Sequence, residues 1–532
     1  MKDIVDVLII GAGASGAAIA WSLSKTGMKI VCLEQGDWPN FSTYPSTGRD
    51  WESRMWGDYN VNPNQRKLDA DYPINVENSP ISVANYNGVG GGTVLYSAHF
   101  PRFHPSDFLS KTLDGVGEDW PITYEVLDPY YNQNNFMMGV SGLAGDPAYP
   151  SKPALMPPLP LGKSATALAK GFNKLGWHWW PSDSAITTEA YDGRDKCINL
   201  GACNTGCAQG AKASTDITYW PHAIRAGVEV RTHCRVRKIT MNDKGMATGV
   251  IYFDENDLEQ HQAAEMVVLA CNGIGTPRLL LNSKSSHFPD GLANNSGLVG
   301  KNLMFHPYGL AQGVFKEPLD GLKGPSNCIW SQEFYESDPS RGFVRGFTHE
   351  GVRGFGPIRT ITEGMIAGRI AWGKNHHKNA RDHINRIVCL ASICEDLPEL
   401  HNKVTIDPDL TDSNGIPSPK IDYKISENSW KMLNFSVDRA KEVLKAAGAY
   451  DVFSEAPMAN AGWHLMGTAR MGTDPNNSVV NEWGRSHDIK NLFIVDGSLF
   501  VTSAGVNPTS TIQALALYIA DNINKRLYNL FD

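Results

Sequence analysis

The stretch Asp6-Val7-Leu8-Ile9-Ile10-Gly11-Ala12-Gly13-Ala14-Ser15-Gly16 decides the fold of this chain. Its first five residues form an apolar, β-prone run. Three spaced glycines follow, then Ala-rich, helix-prone sequence from Ala17 to Leu23. A second apolar run, Lys29-Ile30-Val31-Cys32-Leu33, ends in Glu34. Strand, glycine turn, helix, strand and acid in that order make a dinucleotide-binding unit. Gly11 permits the tight turn, Gly13 lets a pyrophosphate approach the backbone, and Gly16 lets the helix pack close to the strand. The phosphates then meet free N–H groups at the positive end of the helix. Glu34 is placed to accept hydrogen bonds from the adenosine ribose hydroxyls.

The chain has 532 residues, which calls for more than one domain or one large domain with insertions. Hydrophobic residues make up 42% and charged residues 20%, as in an ordinary water-soluble globular chain with a large core. The formal net charge is -8 with the signs mixed along the chain, so no basic stripe argues for nucleic acid. No segment approaches the ~18 consecutive apolar residues of a membrane span. Met1-Lys2-Asp3 leads straight into the first strand, with neither a signal peptide nor a twin-arginine start, so a cytoplasmic location is expected. Nine cysteines in a chain this long suggest reduced thiols rather than a disulfide scaffold.

After the first βαβ unit, Trp38 to Asn87 is polar and rich in Pro and Asn, the composition of long loops. Asn87-Gly88-Val89-Gly90-Gly91-Gly92-Thr93 is too glycine-rich for a regular element, and its backbone is free to press against a flat ligand. Glu118 to Ser184, rich in Pro, Trp and Tyr, is expected to be an excursion over a surface. Nucleotide-fold character returns at Val228–Thr232, Arg235-Val236 and Met266–Ala270, the last running into Cys271-Asn272-Gly273-Ile274-Gly275-Thr276-Pro277 and a helical Arg278–Leu281. Between about 305 and 455 lie strand-like runs, Gly313-Val314-Phe315, Phe343-Val344-Arg345 and Arg386–Leu390, then a helix over roughly Glu427 to Ala447. Leu492–Val495 is a buried-type strand ending in Asp496-Gly497, and a final helix runs from about Ser510 to Leu527. The expected architecture is α/β: a Rossmann-like nucleotide-binding domain from 1–117, 191–304 and 456–532, a loop-rich excursion or lid over 118–190, and an antiparallel-sheet domain over 305–455.

The whole chain resembles the glucose–methanol–choline (GMC) oxidoreductases, which are FAD-dependent flavoproteins. The likeness is carried by the amino-terminal glycine turn with Glu34, by Val89-Gly90-Gly91-Gly92-Thr93 with Phe100-Pro101-Arg102 and Asp107-Phe108, and by Ala270 to Pro277. Val299-Gly300-Lys301-Asn302-Leu303 precedes His306 as in the family. The most specific stretch is His464-Leu465-Met466-Gly467-Thr468-Ala469-Arg470-Met471-Gly472, followed by Ile494–Ser498 and Asn507-Pro508-Thr509.

The resemblance makes the Rossmann-like domain the FAD-binding domain and the antiparallel-sheet domain the substrate domain, and it implies an alcohol dehydrogenase or oxidase that passes hydride from a substrate CH–OH group to flavin. It makes His464 the catalytic base, since an imidazole with pKa near ~6.5 takes the hydroxyl proton at neutral pH. It makes Asn507 the second active-site residue, an amide that orients the substrate oxygen but is no base. Trp463 is expected to line the substrate pocket. The expected FAD-binding residues are Gly11, Gly13, Ala14, Ser15, Gly16, Glu34, Gln35, Gly91, Gly92, Thr93, Tyr96, Ser97, Val236, Cys271, Gly273, Asp496, Gly497, Asn507, Pro508 and Thr509. Some relatives attach flavin through a histidine that would fall near Leu95, so non-covalent FAD is expected, with His99 the fallback attachment site. Sugar dehydrogenases of the family use an adjacent cysteine pair for an iron–sulfur cluster. Here Ile198 stands in the second place of Cys197-Ile198…Cys203…Cys207, so no metal is expected. Buried thiols, one disulfide or a three-iron cluster remain alternatives there. The substrate is expected to be a small alcohol, polyol or sugar, and the acceptor oxygen, a quinone or a cytochrome. A second reading is the catalytic subunit of a membrane-associated polyol or sugar dehydrogenase with a small partner subunit. Remote alternatives are a non-catalytic flavin-binding protein and a hydroxynitrile lyase.

Overall fold

The computed structural model describes residues 4–48, 50–54, 71–201, 203–325 and 327–530. The start Met1-Lys2-Asp3, the middle of the Trp38–Asn87 stretch and Ala202 of the cysteine loop lie outside the described residues.

Three sheets are formed by the described residues. The first is built on Ile4–Ile10, which pairs in parallel with Ile30–Leu33 on one side and Glu259–Leu269 on the other. Ile30–Leu33 pairs in parallel with Glu229–Arg231, and Glu259–Leu269 with Leu492–Ile494. An antiparallel hairpin, Arg235–Met241 with Ala247–Phe253, extends it. Val7, Leu8 and Ile9 are wholly buried, as strands covered on both faces must be. The helix Ala14–Leu23 covers this sheet and packs against the last helix, Thr509–Lys525, and against Tyr219–Arg225.

The second sheet is antiparallel: Asp451–Glu455, Tyr308–Val314, Ile387–Cys394, Phe347–Val352, Ile329–Ser331 and Trp180–Pro181, in that spatial order. Its outer face is closed by the helix Glu427–Ala447, which begins where the Ser426 hydroxyl accepts from the Ser429 N–H and ends at Gly448 in the left-handed conformation. A small third sheet joins Lys403–Thr411, Pro417–Asp422 and Asn75–Asn78. A Rossmann-like domain with an antiparallel-sheet domain beside it is thus the architecture.

Three segments differ from their sequence reading. Phe343-Val344-Arg345 is not a strand: Arg345 has φ 64°, and its side chain turns into an ion cluster, so pairing starts only at Phe347. The Glu118–Ser184 excursion carries two helices, Tyr124–Met138 and Gly162–Leu175, which pack on the last helix and on Glu427–Ala447. In the first, polar residues and Pro129 dilute the apolar positions and hide the helical period, whereas in the second Ala165, Leu168, Ala169 and Phe172 recur at helical spacing on the buried face. Asn75–Asn78, inside a stretch read as loop, pairs with Pro417–Asp422, a partner more than 300 residues away that no local pattern announces.

Candidate active site

The active-site histidine is placed by a two-residue bridge. Met304 and Met466 exchange both backbone hydrogen bonds, Met304 N to Met466 O at 3.0 Å and Met466 N to Met304 O at 3.2 Å. This lays Phe305-His306 beside His464-Leu465. The result is a direct contact, with His306 Nδ1 2.7 Å from His464 Nδ1 and the rings at 83°. On its far side His306 Nε2 lies 2.8 Å from the Ala504 carbonyl oxygen and 3.2 Å from that of Ser503.

Those contacts fix the tautomers. Carbonyl oxygens only accept, so His306 Nε2 carries the proton and, in the neutral ring, Nδ1 is bare. His464 Nδ1 must then donate to it, which leaves His464 Nε2 as a bare lone pair. Both rings are buried. Burial lowers the His306 pKa to about 4, and burial together with His306 holds His464 well below the ordinary value. His464 is therefore neutral at neutral pH and at lower pH than an exposed imidazole would be. The bridge that joins His306 to His464 pairs Met304 with Met466, far apart in the chain, so no local pattern announces the contact.

Asn507 sits three residues beyond Ala504 and is buried. Its side chain hydrogen-bonds Glu350, on the strand Phe347–Val352. Glu350 is wholly buried, and burial lifts its carboxyl to about 8. Its Oε2 is 3.5 Å from His99 Nε2, while burial lowers His99 to about 3. Trp463 is 42% exposed and packs edge-on to Tyr308 with ring centroids 5.4 Å apart, which places it at the rim rather than the floor.

Several of the expected cofactor residues are joined by short contacts. Gly11 has φ +100°, and a Cβ there would come within 2.5 Å of the Ala270 oxygen; one at Gly16 would come within 2.0 Å of the Gly11 oxygen. Ala14, Ser15 and Gly16 form the first turn of the helix. Glu34 Oε2 accepts from Ala12 N at 2.8 Å and Oε1 from Gly36 N at 2.9 Å. Gln35 donates to Asn87, and the strand bearing Val236 is tied to this corner through Cys234 N and the Glu34 oxygen. Gly91, Gly92 and Thr93 form a short 3-10 turn against the first glycine turn: a Cβ at Gly91 would be 2.8 Å from Gly13 Cα, whereas one at Gly92 would meet nothing within 4 Å. Cys271 precedes the helix Asn272–Asn282, and Gly273 lies so close to Leu465 that a Cβ would be 2.5 Å from its carbonyl carbon. Asp496 accepts from Thr276 Oγ1 at 2.6 Å and from Asn272 N at 3.1 Å, and Gly497 abuts Leu465. Pro508 and Thr509 open the last helix. Tyr96 and Ser97 follow the second glycine turn, beside which Lys212 Nζ donates to the Val94 and Tyr96 carbonyls at 2.8 and 2.9 Å. Lys212, missed from sequence, is buried, which lowers its pKa to about 8.

A flat, polar, phosphate-bearing cofactor fits these turns. Two glycine turns meet with one side open, and Tyr96 OH, Asp216 Oδ1 and Ser498 Oγ are buried without a partner. Among the described residues all nine cysteines are free. Cys197, Cys203 and Cys207 lie in one loop region near Lys212, and burial raises the Cys197 thiol to about 11. No helix among the described residues is long and apolar enough to cross a membrane.

The glycine turns on a parallel sheet, the antiparallel sheet over them and the buried histidine between define a two-domain flavin-dependent oxidoreductase. The chain belongs to the GMC oxidoreductase family. Models of that family match residues 159–308 and 398–516, and one described as FAD dependent oxidoreductase matches 6–51. The enzyme is FAD-dependent and acts on CH–OH donors. The chain is 42% identical to a 2-methyl-1,2-propanediol dehydrogenase of Mycolicibacterium austroafricanum, over 100% of this chain and 97% of the relative. It is 28% identical to the fructose dehydrogenase large subunit of Gluconobacter japonicus, covering 97% of each. Its fold matches the pyridoxine 4-oxidase of Mesorbium loti with a TM-score of 0.65 at 16% identity, over 97% of this chain and 99% of that one.

Proposed function

We propose that this enzyme oxidises the primary hydroxyl of a small diol or polyol, with His464 as the base that removes the hydroxyl proton. The observation that carries this is the His306–His464 contact, because it leaves His464 Nε2 unprotonated in a buried site. Bound FAD supplies the two-electron hydride acceptor. Asn507 hydrogen-bonds the reacting oxygen and holds it toward His464, and Trp463 shields the rim. Water is excluded by burial, which keeps the proton transfer between substrate and imidazole.

FAD is proposed to be held by Gly11, Gly13, Ala14, Ser15 and Gly16 at its phosphates and by Glu34, Gln35 and Val236 around the adenosine. The remaining holders are Gly91, Gly92, Thr93, Tyr96, Ser97, Cys271, Gly273, Asp496, Gly497, Asn507, Pro508 and Thr509. The flavin is non-covalent and no iron is bound; the turn of His99 toward Glu350 and the exposed Ile198 in place of a cysteine support this. Acid precipitation of the purified enzyme should leave the flavin in the supernatant, and metal analysis of the same preparation should find no stoichiometric iron. Flavin retained on the pellet, or about three irons per chain, would reject the respective half.

The diol reading is supported by the 42% identical relative, and an acceptor other than oxygen, here taken as a quinone or cytochrome, by the word dehydrogenase in both names. The free thiols support a cytoplasmic site. The test is an anaerobic panel of diols, polyols, sugars and simple alcohols, read as loss of flavin absorbance, followed by a quinone analogue or air. Bleaching by a small diol, with faster reoxidation by the quinone, is expected; no bleaching by any alcohol would sink the reading. A second reading, in which the chain works with a small subunit and a cytochrome, draws on the relative described as a large subunit. Co-purification of a haem protein would favour it.

A further inference from the structure

The inner face of the antiparallel sheet carries polar atoms that the mechanism above leaves unused. Strand register puts Trp330, Glu350, Ala391 and Leu310 in one row and Thr348, Ile393 and Tyr308 in the next. Residues paired across strands share a face, and neighbours along a strand point to opposite faces. His349, between Thr348 and Glu350, reaches the other way and contacts the Ser436 oxygen of the covering helix at 2.9 Å. The Thr348–Glu350 face therefore looks at the FAD-binding domain, where Glu350 meets His99 and Asn507 and Tyr308 meets Trp463.

On this face Thr348 Oγ1 and Glu350 Oε1 have no hydrogen-bond partner, and facing them neither do His99 Nδ1, His99 Nε2 and Asn507 Oδ1. All four side chains are at least nine-tenths buried: Thr348 0%, His99 1%, Glu350 2% and Asn507 8% exposed. Buried polar groups are almost always paired. Glu350 in contact with His99 and Asn507, and Thr348 two residues along on the same sheet face, therefore describe by their unmet capacity a site for a small polar group. The group has to donate and accept at once, because the four side chains offer both kinds of atom. It has to be neutral, since burial keeps Glu350 protonated near neutral pH and His99 uncharged. A hydroxyl meets both conditions.

We propose that Glu350, His99, Thr348 and Asn507 form a second-hydroxyl subsite, which holds the neighbouring OH of a vicinal diol while its primary carbinol is presented to His464. Asn507 touches both groups and sets their spacing to that of adjacent carbons. The inference rests on the reading of the enzyme as a diol oxidoreductase and adds to it the residues that tell a diol from a simple alcohol. A site built to hydrogen-bond a hydroxyl rejects the analogue lacking it far more strongly than an apolar pocket would.

The test uses the flavin-loaded enzyme and two substrates with one carbon skeleton, 2-methyl-1,2-propanediol and 2-methyl-1-propanol. The wild type should reduce its flavin with the diol ~10²-fold more efficiently, in kcat/KM, than with the mono-alcohol. Glu350→Leu should lower that ratio ~30-fold or more, while Glu350→Gln, which still donates and accepts, should stay within ~5-fold of the wild type. As a readout independent of turnover, 2,3-dimethyl-2,3-butanediol has no carbinol C–H and cannot be oxidised. It should perturb the flavin spectrum of the wild type and inhibit competitively, where tert-butanol does not. Loss of that binding in Glu350→Leu supports the subsite, and the measurement on the wild type decides the matter should Glu350→Leu fail to fold. An unchanged ratio in Glu350→Leu, a Gln variant as impaired as the Leu variant, or equal inhibition by tert-butanol overturns the subsite and leaves the alcohol reading standing. A wild type that bleaches with neither substrate nor any other alcohol overturns both.

Discussion

His464→Ala should bind FAD normally and reduce it with substrate ~10²-fold or more slowly, the scale of a lost positioned base. FAD should stay bound because the proposed phosphate and ribose contacts lie at Gly11 to Gly16 and Glu34, far from His464 in the chain and held by their own backbone geometry. The pH profile separates a base from a packing residue. Burial and His306 keep His464 neutral to well below its ordinary value, and only the neutral ring accepts a proton. The wild-type reduction rate should therefore be level through ~pH 6.5 and fall only in more acidic solution. That acid limb should vanish in His464→Ala. His306→Leu removes both the acceptor for His464 Nδ1–H and one of the two causes that depress its pKa. It should slow reduction ~10-fold and move the acid limb to higher pH, while KM changes little. Normal reduction by His464→Ala, or an acid limb that neither variant moves, would remove His464 from the mechanism.

What was legible in the sequence was what is local. The glycine turn at Gly11 to Gly16 and the helix Glu427–Ala447, capped by Ser426 and Gly448, are written within a few residues. The H-x-x-G-T-x-x-M-G stretch pointed to His464 through its likeness to a family. The illegible part is what the third dimension brings together. His306 meets His464 through one backbone bridge, and Glu350 becomes part of the site only because a six-stranded sheet turns it toward His99, some 250 residues away. A glutamate in a strand reads as a solvated face in sequence. Nothing short of the register shows that it is sealed.

Arg345→Met should be the most damaging change to stability, and it should also blunt activity. Arg345 is buried and makes three ion pairs: with Asp107 at 2.5 Å, Asp114 at 3.0 Å and Glu395 at 3.0 Å. Asp107 and Asp114 belong to the chain before the excursion, Glu395 to the end of a substrate-sheet strand, so the guanidinium joins the two halves of the protein. Burial lifts both Asp107 and Glu395 above their ordinary values despite the cation, so desolvation outweighs attraction even with Arg345 present. Without it the carboxylates would be buried unpaired, a loss of ~3–5 kcal/mol. For a chain of 532 residues this amounts to a fall in Tm of about 3–5 °C, since the unfolding entropy scales with length. The sign with pH follows from the same groups. Carboxyls with raised pKa penalise the folded state more as pH rises through the window above their unfolded values, so the loss should be greater at pH 8 than at pH 5. The effect on catalysis runs through Tyr335, whose hydroxyl donates to Asp107 at 2.8 Å and accepts from Gly505 N at 3.2 Å, two residues before Asn507. Thermal unfolding of the flavin-loaded variant at the two pH values is the measurement. A Tm within 1 °C of the wild type at both would show that the cluster contributes nothing to holding the sheet domain over the flavin-binding domain.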